Sequence, residues 1–325
     1  MMTRNTTRNP FGVVCAAVFL GATLAGCSGS GGSGSSGGGG GTNLYPSTQV
    51  PGTSTLVDPS HIIKLPGGNV LVSDMVGSHV LKIYDSTGTL VKTIGSGTGV
   101  ASNAPGEFDA PEGISIGPGG NIYVVDSDNH RVEVFDSAGT YIRQYTDAGM
   151  EDPEAIAVAS NGDTYVVDDK ANKIFAFHPD GTLASAFGDT GKFPLNAPLD
   201  IITDGAGHLF VADSGNDRIV VYSVTGSTIT AFGSHGSGDG QLWHPVGICF
   251  DSHGNFYVND AGNGRVVEFD ITKKFLINYQ FRDPKTVTGG QKTSLEGFGI
   301  SVDASGNIYV VMAGAAYQLA PSGAI

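Results

Sequence analysis

Disulfide chemistry is almost closed to this 325-residue chain, which has three cysteines, Cys15, Cys27 and Cys249. Cys15 lies inside an N-terminal apolar run and Cys27 at its end, so the remainder offers no pair to bridge and must rely on its core. Charge is scarce at 15% of residues, and the basic sign is the scarcer, with 17 Lys and Arg against 31 Asp and Glu and a net charge of −14. That balance argues against nucleic-acid binding and suits cations or partners with basic patches. Tryptophan occurs once, at Trp243. The longest apolar run, Phe11 to Leu24, is too short to span a bilayer. G-x-S-x-G, a Walker loop and H-E-x-x-H are all missing, which removes the hydrolase, nucleotide and zinc-protease chemistries they carry.

Glycine, by contrast, is abundant at 50 residues, and it falls in a pattern. The segment Gly120 to Asp126 reads GNIYVVD and recurs as GNVLVSD from Gly68, GDTYVVD from Gly162, GHLFVAD from Gly207, GNFYVND from Gly254 and GNIYVVM from Gly306. The six glycines are 52, 42, 45, 47 and 52 residues apart, a period that marks propellers or solenoids. Each unit holds four short runs rich in Ile, Val, Tyr and Phe, separated by tight-turn residues such as Gly117-Pro-Gly-Gly120 and Ser137-Ala-Gly139. Four antiparallel strands per unit without helical periodicity define a propeller blade. The expected fold is an all-β, six-bladed β-propeller of four-stranded antiparallel blades. With strands A to D counted outward, D–A linkers and B–C loops share one face. The length variation lies in the linkers, which makes that face the expected working face.

The pattern P-x-G-I, G-N-x-Y-V-x-D, N-x-R-[IV]-x-x-[FY] resembles the NHL repeat. Pro111, Gly113, Gly120, Tyr123, Asp126, Asn129, Arg131, Val132 and Phe135 carry it in the second unit. Pro245, Gly247, Gly254, Tyr257, Asp260, Asn263, Arg265 and Phe269 carry it in the fifth. Gly236 to Leu242 resembles the family's interblade linker. The likeness covers roughly residues 56 to 325 and implies the propeller fold. It says little of function, since such propellers serve as scaffolds, sensors and enzymes.

Residues 1–26 read as an export signal, with Arg4 and Arg8 ahead of the apolar run. Leu24-Ala-Gly-Cys27 resembles the bacterial lipobox, which implies cleavage before Cys27 and its diacylation. The protein is then exported and anchored to the cell envelope, at the outer membrane in a Gram-negative cell. Losing the two arginines moves the net charge from −14 to −16. Residues 27–43 form a Gly/Ser-rich tether too polar to pack, and residues 44–325 form the propeller. The last unit lacks an outermost strand, and part of Asn43–Leu56 is expected to supply it and close the ring.

Two sets of side chains can carry chemistry. The repeated aspartates Asp74, Asp126, Asp168, Asp213 and Asp260 each precede a basic residue by five positions (His79, Arg131, Lys173, Arg218, Arg265) and read as blade construction. At the start of strand A, Glu112, Glu154, Glu296 and Asp200 with His61 form a candidate cation or ligand site at the channel mouth, where oxygen donors suit calcium. Trp243 and His244, in a linker, are candidate contact residues. A zinc site like that of the amidating lyases, which resemble NHL propellers, needs about three converging histidines, and only His61 and His244 are placed for it. Cys249 reads as a small core residue of strand A. The sequence thus favours a non-catalytic binding or scaffold module without a cofactor, engaging a protein, peptide or glycan through its loop face. The alternative is a metal-dependent lyase or lactonase, using Ca or Zn at the channel mouth.

Overall fold

The computed structural model describes residues 43–45, 47–49, 56–65, 69–85, 87–281, 299–302, 306, 308–312 and 315–319. The segments expected to be an export signal and a tether, with Cys27, and Glu296 lie outside the described residues. Five blades are built alike, each from four consecutive antiparallel strands. Blade one comprises Pro59–Lys64, Val70–Asp74, Val80–Tyr84 and Leu90–Ile94. Blade two comprises Pro111–Ile116, Ile122–Asp126, Arg131–Phe135 and Tyr141–Tyr145. Blade three runs from Pro153 to Phe187, blade four from Pro198 to Phe232 and blade five from Pro245 to Phe281.

The expectation of six four-stranded antiparallel blades is corrected: five blades have that form. Among the described residues the last repeat contributes three strands, Ile300–Val302, Ile308–Met312 and Ala315–Leu319. The N-terminal segment serves two sheets. Its first strand, β1 (Asn43–Tyr45), pairs in parallel with Phe275–Phe281 and makes blade five a five-stranded mixed sheet. Its second, β2 (Ser47–Gln49), pairs antiparallel with Ala315–Leu319 in a composite sheet. Pro46, which has no N–H to give a ladder, separates the two in sequence.

Why these runs form blades is visible in their burial. Strand B of blades one, two, three and five is buried at all five positions. Strand D, by contrast, is largely exposed in blades one and three. Strands covered on both faces keep Val, Ile, Leu and aromatics at most positions ahead of the closing aspartate. The core is accordingly a series of interblade clusters, such as Leu71, Leu81, Ile94, Phe108, Ile114, Ile122, Val124 and Phe135 between blades one and two. Each such side chain contributes roughly 1.5–3 kcal/mol. Cys249 is a free thiol packed against the blade-five cluster, as its sequence position implied. Neighbouring A strands also approach closely at Gly113, where an added Cβ would lie 2.5 Å from the Ala155 Cα. Any larger residue there pushes blades two and three apart.

The repeated aspartates hold the linkers. Asp126 accepts the Asp109 N–H at 2.7 Å, Asp213 that of Asn196 at 2.8 Å and Asp260 that of Trp243 at 2.6 Å. Arg131, Arg218 and Arg265 each donate Nε–H to the same carboxylate at 2.7 Å. The guanidinium then reaches on to linker carbonyls: Asn103, Ala104 and Glu107 for Arg131, and Ser237, Gly238 and Gln241 for Arg265. Two of the five expected pairs differ. Asp74 pairs with Lys82 at 2.5 Å, and Lys173 turns outward to Asp189 at 3.2 Å.

Two outcomes follow from this construction. Asp260→Ala leaves the buried Arg265 unpaired and lowers unfolding stability by about 3–5 kcal/mol in a denaturant titration, with Asp260→Ala/Arg265→Leu recovering part of the loss. Removing residues 1–49 deletes β1 and β2, bares two sheet edges and lowers the melting temperature by roughly 5–10 °C in calorimetry.

Candidate functional site

The A strands surround a narrow cavity lined by Ser60, His61, Gly113, Glu154, Ala155, Leu199 and Asp200, contributed by blades one to four. Its volume is about 220 Å³, including space open to solvent. His61, Ala155 and Asp200 are each the third residue of strand A, as are Gly113 and Gly247. In all five blades the A–B register slips just after the leading proline, a bulge that re-aims this position.

The polar side chains at this position bond to the backbone of a neighbouring blade. His61 Nδ1 accepts the Ile114 N–H of blade two at 3.0 Å. Asp200 accepts the Ile248 N–H of blade five through Oδ2 and its own neighbour Ile201 N–H through Oδ1, both at 2.8 Å. Ser73 Oγ adds a bond to the Glu112 carbonyl at 2.7 Å. Burial pushes His61 down to about 4 and Asp200 up to about 7. The imidazole is therefore neutral near pH 7, with Nδ1 an acceptor and the proton on Nε2.

Glu112 and Glu154 do come together. Burial holds the Glu154 carboxyl well above the usual carboxylate range, and the adjacent charge of Glu112, to which it is hydrogen-bonded, adds to the rise. Such a pair keeps a shared proton where both groups would otherwise be ionised. Of the expected set of His61, Glu112, Glu154, Asp200 and Glu296, the cavity is lined by His61, Glu154 and Asp200, and Glu296 lies outside the described residues. Among the described residues, the group whose ligand atoms all lie within 4.8 Å of one another is Asp152, Glu154 and Asp169. Asp152 is also bound by Lys170 at 2.6 Å, and burial raises Asp169 to about 6. Three carboxylates without histidine fit calcium better than zinc. The sequence signal for this group was the doubled Asp168-Asp169 in place of Asp and a small residue, which the repeat alignment passed over.

Trp243 and His244 lie on the linker face. Trp243 is 49% exposed, packs over Gly262, where an added Cβ would sit 2.6 Å from its Cγ, and meets His235 edge to face at 6.1 Å. It is thus both an interblade packing residue and an accessible aromatic. His244 adopts φ +52° and donates its N–H to Asp217 Oδ1 at 2.7 Å. That bond belongs to a staple unforeseen from sequence. The left-handed residue ahead of strand C accepts the N–H just before the next blade's proline, as His79 does for Ala110 and Asn172 for Ala197. The recurrence of His, Asn and Asp, which tolerate positive φ, was the available clue.

Comparison with known proteins agrees with the fold. The NHL repeat profile matches residues 108–135 and 242–269, that is, blades two and five. A search of curated proteins returns no match. Among solved structures, a catalytically inactive virginiamycin B lyase from Staphylococcus aureus with quinupristin superposes with a TM-score of 0.62 at 15% identity, covering 83% of this chain and 82% of that one. A streptogramin B lyase superposes with 0.58 at 14% identity, over 85% and 96% of the two chains. A protein of unknown function from Bacteroides caccae gives 0.54 at 17% identity, over 68% and 81%. At these identities the likeness is one of fold.

The His61 environment is directly measurable. In an NMR titration its imidazole titrates near pH 4, and His61→Phe, which removes the acceptor for Ile114, costs about 1–3 kcal/mol. The sign follows from linkage. A histidine whose folded pKa lies below its unfolded value takes stability away as pH falls from about 6.5 toward 4, so that part of the acid loss is missing in the variant.

Proposed function

We propose that this propeller with NHL repeats is an exported, lipid-anchored binding module that engages a protein, peptide or glycan through its linker face and does not catalyse a reaction. The observation that carries this reading is the use made of the channel-mouth side chains. His61 Nδ1 and both Asp200 oxygens already accept backbone N–H groups, so they serve the ring. The linker face, by contrast, presents irregular segments pinned by buried Asp–Arg pairs and an accessible Trp243. Rigidly held loops with an exposed aromatic anchor are a common recognition surface. The acidic balance of the chain favours partners that present basic groups. Cys27 supplies the lipid attachment, and the following Gly/Ser tether holds the module off the membrane.

The test is retention of envelope components on an immobilised 44–325 fragment. A specific component held by the parent and bound roughly tenfold or more weakly by Trp243→Ala supports the reading. Equal retention by both removes Trp243 from the contact.

A second reading, a metal-dependent lyase or lactonase, is favoured by the Asp152, Glu154 and Asp169 group and by the lyases that share the fold. Here the three carboxylates would hold the ion, which would polarise a substrate oxygen. Calcium should then raise the melting temperature of the parent by several degrees and leave Asp152→Asn/Asp169→Asn unmoved. No calcium response in the parent sinks this reading.

A further inference from the structure

Strand C of blade two carries a residue that its counterparts do not. Glu133 is fully buried, and the matching positions are Val220 in blade four and Val267 in blade five. Glu133 Oε1 accepts the Gly106 N–H at 3.1 Å and lies 3.2 Å from Arg131 Nη2, while Oε2 is buried without a hydrogen-bond partner. The same guanidinium bonds Asp126, Gln144 Oε1 and the carbonyls of Asn103, Ala104 and Glu107. One arginine therefore serves two fully buried carboxylates and the linker together. In blades four and five one arginine serves one aspartate.

We infer that Glu133 makes the blade one–two linker a pH-responsive clamp, closed when this carboxyl holds a proton and loosened when it ionises and competes for Arg131. The charge count gives the reason. With both carboxylates ionised the buried group carries one uncompensated negative charge, which a proton removes. The groups that face Glu133 are Arg131 on its own strand, Asp126 on strand B, Glu107 on the linker and Tyr141 on strand D. Only Arg131 among them is cationic. Burial raises Glu133 to about 7 and Asp126 to about 6, which sets the window near neutrality. Both lie above their unfolded values, so stability is full in acid and falls as pH rises through these pKa values. Ionised Glu133 keeps the Gly106 N–H but draws Arg131 away from the carbonyls of Asn103, Ala104 and Glu107, which loosens the linker on the face proposed to bind. The clamp is independent of what that face binds.

Hydrogen exchange on the full chain in detergent, between pH 5.5 and 8, is the test. Protection factors corrected for intrinsic rates are read at Ser102 and Glu107, whose N–H groups bond Phe108 O and Ala104 O. Protection is expected to fall roughly tenfold across this range in the parent, the equivalent of about one pKa unit. The fall should be clearly smaller in Glu133→Val, which reproduces blades four and five and leaves Asp126 alone to titrate, and the blade four–five linker 236–242 should stay flat. An equal fall in Glu133→Val, or no fall in the parent, overturns the inference. Should Glu133→Val fail to fold, Glu133→Gln decides by the same readings, since it keeps an acceptor for Gly106 and removes the charge.

Discussion

A carboxylate buried at the end of strand B is the constraint on which the propeller depends. An ionised or half-ionised aspartate with no solvent must fill its lone pairs from the protein. It does so by drawing in the N–H of the arriving linker, the amide of its own B–C loop and, in three blades, an arginine Nε. The same arginine then binds carbonyls from the linker, so that a long irregular segment is fixed at both polarities. Blade spacing, linker path and the shape of the loop face all follow from satisfying one group.

The departures from this arrangement are where the molecule acquires individual character. Blade three has no arginine on Asp168, which instead takes backbone N–H groups from Glu151, Asp152 and Ala171. Its linker is short, the Asp152 N–H goes to Asp168, and His130, which sits where His79 and Asn172 act as staples, keeps a buried Nδ1 without a partner. The acidic group and the Glu112–Glu154 pair both lie at this seam. Blade two departs in the opposite sense, by adding a second carboxylate to a complete clamp. In both places the burial cost of a charge is left partly unmet, which is the condition under which protons or cations have an effect.

Much of the architecture was legible beforehand because it repeats. Gly-x-x-[Tyr/Phe/Leu]-Val-x-Asp marks strand B in the five four-stranded repeats, since full burial on both faces admits few side chains and the turn before it needs glycine. The pairing of Asp126 with Arg131, Asp213 with Arg218 and Asp260 with Arg265 follows from a fixed offset within one hairpin. The same offset misled at Asp74, whose base is Lys82, because a cross-strand neighbour can reach as well as a sequence neighbour. Glu112 and Glu154 were legible as members of one channel-mouth set, but not as a pair. His61 and Asp200 were located at the channel but not in their role, because a backbone N–H of another blade has no signature in sequence.

By itself, then, the order of residues determined the blade, its strands and the face on which its loops gather, since all of these are contacts within about forty-five residues of chain. Ring closure and the fate of each polar group were decided only in three dimensions. Whether the N-terminal segment pairs with one sheet edge or two depends on where those edges stand. Likewise a carboxylate at the channel mouth becomes a ligand, a staple or a proton holder according to which neighbouring blade presents its backbone. Those choices rest on distances between blades, which no local pattern encodes.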